Sequence, residues 1–302
     1  MQVIAVSLGY AVPNGDFDAS VHSVFHSSLN LNARGVNGLL TVTGPAPFDL
    51  PQGIRLQGRQ GLDFRELTPG APATCRDGRL SLPESALRID LRRARRWACD
   101  LAAMEVDLGD PPEALAWECA WEALNAHQRQ EGAEIVGADL LQSGCPNGST
   151  TADHIGQALR RLLLATRKHG RAATDAARAL LGLGNGLTPT GDDLLVGFLA
   201  GLWCTLRDIP ARQRSLADLA KAVRDRSVGT NDISRTYLLH AARGQVSSHL
   251  METARAIRAG APTHRIHRHI GLSARIGHAS GLESLTGLLL GLAAWDGPLL
   301  VH

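Results

Sequence analysis

The chain has 302 residues, 44% hydrophobic and 20% charged, enough for two domains with a sizeable core and too apolar for a disordered protein. Its net charge of +2 supplies no field to gather nucleic acid or an anionic membrane. No apolar run approaches the ~20 residues of a membrane-spanning helix. Five widely spaced cysteines, Cys75, Cys99, Cys119, Cys145 and Cys204, fit a reducing cytoplasm, and the first residues lack the basic and apolar regions of a signal peptide.

Up to about residue 91 short extended segments alternate with turn residues. Residues 3–8, 21–31, 38–42, 54–57, 79–82 and 87–91 read as strands. Asp77 and Gly78 have the composition of a tight hairpin turn. His22 and His26 fall four apart in the second segment, which would set them on one face. Arg92, Arg93, Arg95 and Arg96 lack interleaved aromatics and read as a solvated face or subunit contact, as does the basic run from Arg265 to His269.

After Asp110, Pro111 and Pro112 the pattern becomes helical, dividing the chain into a β-rich part, 1–108, and a helical part, 109–302. Helices are expected over 112–131, stopped by Gly132, over 153–169, closed by Gly170, and over 173–181. Residues 144–151 read as a loop, and further helices over 232–243 and 249–259 end at Gly244 and Gly260. The fold class is therefore α+β, a small N-terminal β-rich domain followed by a mainly helical one.

Residues 182 to 193 form the most informative segment: Gly182, Gly184 and Gly186, then Leu187, Thr188, Pro189, Thr190, Gly191, Asp192 and Asp193. A charge-free apolar run, 194–206, follows directly, so a glycine-dense loop opens onto a buried helix. Such loops let a ligand approach the backbone, and a helix start offers unpaired amide donors. The segment recurs 90 residues later, where Ser280, Gly281, Glu283, Gly287 and Gly291 align with Thr190, Gly191, Asp193, Gly197 and Gly201. In both copies hydroxyl and acid stand three apart, the spacing of a capping box. In both, glycines four apart lie on one helix face and permit close backbone contact. Two central helices, packed together with their starts facing one polar pocket, are the expectation. A cap needs only one acid, which leaves Asp192 as the residue least explained by structure.

The 182–197 segment resembles the signature of the AllH-type subunit of oxamate carbamoyltransferase. Thr230, Asn231, Asp232, Ile233 and Ser234 are similar to the family's second block, and Gly277, His278, Ala279, Ser280, Gly281, Leu282 and Glu283 to its third. The stretch from Val21 to Phe25, with Asn30, Leu31 and 39–42, resembles its opening strands, so the likeness spans nearly the whole chain. Departures are mild: proline is usual where Asn185 stands, serine at Thr190 and aspartate at Glu283. The resemblance implies participation in carbamoyl transfer between carbamoyl phosphate and oxamate, in purine (allantoin) breakdown, together with partner subunits.

That chemistry needs a phosphate cradle, help for charge on the carbonyl oxygen and a second anion site. Gly184, Gly186, Gly191, Thr188, Thr190, Thr230, Ser234, Ser280 and Glu283 are the substrate-binding candidates, with Arg235 placed to grip a carboxylate. Asp192, Asp193 and His278 are the catalytic candidates, and the two aspartates are also the candidate ligands of Mg²⁺. Zinc at His264, His267 and His269 is not expected, since no thiolate or His-Glu-x-x-His arrangement accompanies them. Three readings stay open: a carbamoyltransferase subunit holding the small molecule itself, a non-catalytic subunit that docks other chains, and a free-standing metal-dependent enzyme. A homo-oligomer fits each of them.

Overall fold

Period-two alternation of apolar residues builds the first unit of the computed structural model, which describes residues 1–46, 48–58, 63–133, 135–141, 150–277 and 279–298. Contacts divide the chain into Met1–Cys99 and Asp100–His302. In the first unit run β1 (Gln2–Gly9), β2 (Phe17–Val24), β3 (Ser28–Ala33), β4 (Leu40–Thr43) and β5 (Gly53–Leu56). Then follow β6 (Pro72–Arg76), β7 (Arg79–Leu82), β8 (Leu87–Asp90) and β9 (Arg95–Trp97). The sheet order is β5-β4-β3-β2-β6-β7-β8-β1-β9, and an added β5–β1 pairing closes it into a barrel. Closure removes the open edges that would otherwise template aggregation. Leu29, Leu31, Leu40, Val42, Ile54, Leu56, Leu80, Leu82 and Ile89 fill the interior.

The hairpin expected at Asp77 and Gly78 is present, with both residues at positive φ and Arg76 paired with Arg79. The single segment expected over 21–31 is instead two antiparallel strands, β2 and β3, turning where the Phe25 amide donates to the Ser28 carbonyl at 2.8 Å. His22 and His26 therefore do not share a strand face, because His26 stands in that turn. Three of the four arginines bond within the unit: Arg92 pairs with Asp90, Arg95 with Asp49, and Arg96 donates to the carbonyls of Gly9, Val12 and Pro13, while Arg93 is exposed.

The second unit holds ten α-helices among the described residues. They are α1 (Pro111–Gln130), α2 (Gly137–Leu141), α3 (Thr151–Arg167), α4 (Ala172–Leu180) and α5 (Thr190–Cys204). Next come α6 (Pro210–Arg226), α7 (Asp232–Ala241), α8 (Ser248–Arg258), α9 (Thr263–Ser273) and α10 (Ser280–Ala293). Three of these, α2, α6 and α9, are absent from the elements expected from sequence, α2 because it is only five residues long. Helix α6 is charged around much of its surface, and α9 hides behind its basic run, with Ile266, Ile270 and Ser273 turned inward. Its His264, Arg265, His267 and Arg268 are exposed, as a solvated face requires. The loop expected over 144–151, with Cys145, lies largely outside the described residues.

At the centre α5 and α10 cross at backbone contact. A Cβ placed on Gly197 would lie 1.8 Å from the Ser284 carbonyl oxygen, and one on Gly287 would lie 2.1 Å from that of Leu194. Leu194 and Ser284 are themselves 90 residues apart, so the contacts are reciprocal and the two helices are related by an approximate two-fold. Helix α1 backs the pair, where the Trp117 indole donates to the Leu289 carbonyl at 2.9 Å. Among the described residues no helix is long and apolar enough to cross a membrane.

Candidate functional site

The helices start where the repeat predicted, at Thr190 and Ser280, but neither caps itself. Pro189 and Ala279 occupy the N-cap places, and no side chain caps either start. The reason is register: Thr190 and Ser280 stand at the first helical position rather than before it, so the free amides use the backbone instead. The Asp193 amide donates to Pro189 O at 3.1 Å and the Glu283 amide to Ala279 O at 3.0 Å.

The hydroxyls, released from capping, work across the crossing. Thr190 Oγ1 donates to Glu283 Oε1 at 2.8 Å, and the Thr188 and Ser280 hydroxyls meet at 2.6 Å. Ser280 and Thr188 in turn interact with the Asp193 carboxyl. Helix starts far apart in sequence thus share one polar cluster. Asp193 and Glu283 are each only 7% exposed, and Asp193 Oδ2 is buried without a hydrogen-bond partner. Burial holds the Asp193 carboxyl well above its usual 3.8, and repulsion from Glu283 and Asp192 adds to this, against the hydrogen bonds of Ser280 and Thr188.

Asp192 has a different task. Successive helical residues project about 100° apart, so Asp192 turns away from its neighbour and toward the loop. Its Oδ1 accepts from the Gly182 amide at 2.8 Å and its Oδ2 from the Thr230 hydroxyl at 2.5 Å. The acid left over by the capping argument is thereby explained: it ties the glycine loop and the start of α7 to α5. The loop itself holds Gly182, Gly184 and Gly186 at positive φ, and a Cβ on Gly184 would sit 2.7 Å from the Thr190 amide nitrogen. Gly191 lies against the Leu180 carbonyl, with its amide donating to Leu183 O. Removing the Asp192 acceptors leaves two donors unsatisfied, so Asp192→Ala is expected to lose about 2 kcal/mol. Faster amide exchange across 182–187 is the accompanying sign, and an unchanged denaturation midpoint would reject the tether.

The two aspartates have different partners, Gly182 and Thr230 for Asp192, Ser280 and Thr188 for Asp193. Among the described residues no three His, Cys, Asp or Glu side chains come together as a metal-ligand set.

The second block is brought to the first. Asn231 caps α7 by accepting from the Ile233 and Ser234 amides, and Ser234 is buried. Arg235 Nε is buried without a partner. His278 lies outside the described residues. Three side chains that the sequence reading passed over join the cluster. Tyr237, three residues after Ser234 on α7, feels Asp193, and burial first and Asp193 second raise its hydroxyl to about 12. His249 Nδ1 lies 2.8 Å from Ser247 Oγ and its Nε2 3.5 Å from Ser284 Oγ, and burial lowers the imidazole to about 3. A signal for Ser284 existed: it is the polar residue where the first copy of the repeat has Leu194.

Comparison with known families agrees with this organisation. Residues 4–96 match the AllH family N-terminal domain, and residues 180–292 match oxamate carbamoyltransferase subunit AllH. No curated relative and no solved structure matches the chain. The two matched segments contain the barrel strands and the paired glycine helices respectively, and together they cover most of the sequence: the chain belongs to the AllH family.

Proposed function

We propose that this chain is a subunit of an oxamate carbamoyltransferase that binds a small carbamoyl- or phosphate-bearing molecule under the 182–193 loop, where α5 and α10 begin. The observation that carries the reading is the bond from Thr190 to Glu283, because it joins two helix starts into one polar site. Two converging positive helix ends favour an anion, the hydroxyls of Thr188, Thr190 and Ser280 supply directed hydrogen bonds, and the glycine loop lets a ligand meet backbone. Carbamoyl phosphate and oxamate are the substrates this implies, within purine (allantoin) breakdown, with other subunits completing the enzyme in the cytoplasm. His278 and Arg235 remain candidates for the acid/base and carboxylate-gripping roles.

A second reading, a docking subunit whose partners perform the chemistry, is favoured by the rim of the site. Leu187 in the loop is 56% exposed, and Val228, beside the Gly229 carbonyl that faces Gly182, is 68% exposed. Apolar side chains in such places fit cover by another chain. Calorimetric titration separates the readings: the chain alone should bind carbamoyl phosphate or oxamate, with and without Mg²⁺, under the first. Under the second, heat appears only when partner subunits are present.

A further inference from the structure

The acidic pair beneath the loop poses a problem for any anionic ligand, which would meet two negative charges in a poorly solvated place. Asp193 and Glu283 come from helices related by the approximate two-fold, and burial and the charge of Glu283 are the leading influences on Asp193. Asp193 Oδ2 is buried and unpartnered although three hydroxyls crowd the same cluster. Such an atom is costly to bury unless something supplies its partner.

We propose that Asp193 and Glu283 act as a unit carrying a single proton, and that Asp193 presents it, as a neutral carboxylic acid, to an oxygen of the bound ligand, a carboxylate or an amide carbonyl. The inference rests on the site reading given above and specifies how that site accepts an anion without a metal. Glu283 keeps its charge and is held by Thr190. The glycine loop, exposed at Asn185, Gly186 and Leu187, is the side from which the ligand reaches the acid. Among the described residues, the titratable groups around Asp193 are Asp192 on its own helix, Tyr237 from α7, Glu283 from α10 and, one serine further, His249 from α8. Asp192 and Glu283 repel a second negative charge, and burial keeps Tyr237 and His249 neutral, which favours a proton on Asp193.

The test uses the full chain and two independent readouts. Carbon-13 NMR of the aspartate carboxyls should show one signal in the neutral-acid position at a pH where the other aspartates are ionised, and Asp193→Asn should remove it. Oxamate titrated calorimetrically should then bind with a Kd that rises tenfold per pH unit above the point where that signal titrates. In Asp193→Asn, whose amide is an uncharged donor of similar shape, this pH slope should vanish. Oxamate binding with no neutral aspartate and no slope, or binding that requires Mg²⁺, overturns the inference and leaves the site in place. A neutral Asp193 with no binding of oxamate or carbamoyl phosphate, alone or with partner subunits, overturns the site reading itself and the ligand role of the acid with it.

Discussion

Gly197→Ala and Gly287→Ala are each expected to destabilise the helical unit by about 3 kcal/mol or more, at the upper end of overpacking effects. The added methyl would fall 1.8 Å from the Ser284 carbonyl oxygen in the first case and 2.1 Å from the Leu194 carbonyl oxygen in the second. Both obstacles are backbone, so no side chain can swing aside, and α5 and α10 must separate along their crossing. Better helix propensity returns about 1 kcal/mol of this cost. Gly271, in α9, is the control, because a Cβ there would meet nothing within 4 Å. Gly271→Ala should therefore stabilise, giving shifts of opposite sign in urea denaturation. A wild-type midpoint for Gly197→Ala would mean that the helices do not touch. Since the polar cluster sits at the start of this crossing, under the proposed function oxamate binding should be lost with stability.

Acidification should begin to destabilise the helical unit above the pH at which ordinary carboxylates are protonated. Burial lowers His249 to about 3 and, with a smaller contribution from Arg243, lowers His240 to about 4. The folded state resists protonation at both rings, so their stabilisation is complete above the ordinary 6.5 and drains away as pH falls toward the folded values. His240, 3% exposed, sets a loss of about 3 kcal/mol by pH 4. His249 keeps a partly exposed edge, so its share is smaller. Asp193 works in the opposite sense: its raised carboxyl binds protons more tightly in the folded state, which favours folding as pH falls from that raised value toward 3.8. The net result is a falling denaturation midpoint below pH 6.5. It should steepen in Asp193→Asn, where the opposing term is gone, and flatten in His240→Gln with His249→Gln. A midpoint constant from pH 7 to pH 4 in the wild type would contradict the burial of these rings.

The positions of the helix starts were legible because glycine, hydroxyl, acid and apolar residues recur in step, and such a pattern constrains local backbone wherever the helix lies. The bonding at those starts was not. Thr190 with Asp193 has the spacing of a cap, yet one residue of register decides whether a hydroxyl closes its own helix or reaches another, and local sequence does not settle that choice. Asp192 seemed unexplained because its partners, Gly182 and Thr230, belong to a loop and a later helix. Tyr237 and His249 carried no motif at all; only the packing of α7 and α8 around α5 brings them near Asp193 and Ser284.

By itself the sequence determined the division into a strand-rich and a helical part, the Asp77–Gly78 turn, the paired glycine helices and the family, since all of these follow from short-range pattern and from composition. Only the tertiary structure decided that the barrel closes through β1 and β5, that α5 and α10 exchange hydroxyl and acid across an approximate two-fold, and that one oxygen of Asp193 is left without a partner. These depend on which surfaces meet after the chain has folded. A buried carboxylate gets its chemistry from the atoms packed around it, and they come from segments that adjacency in sequence does not bring together.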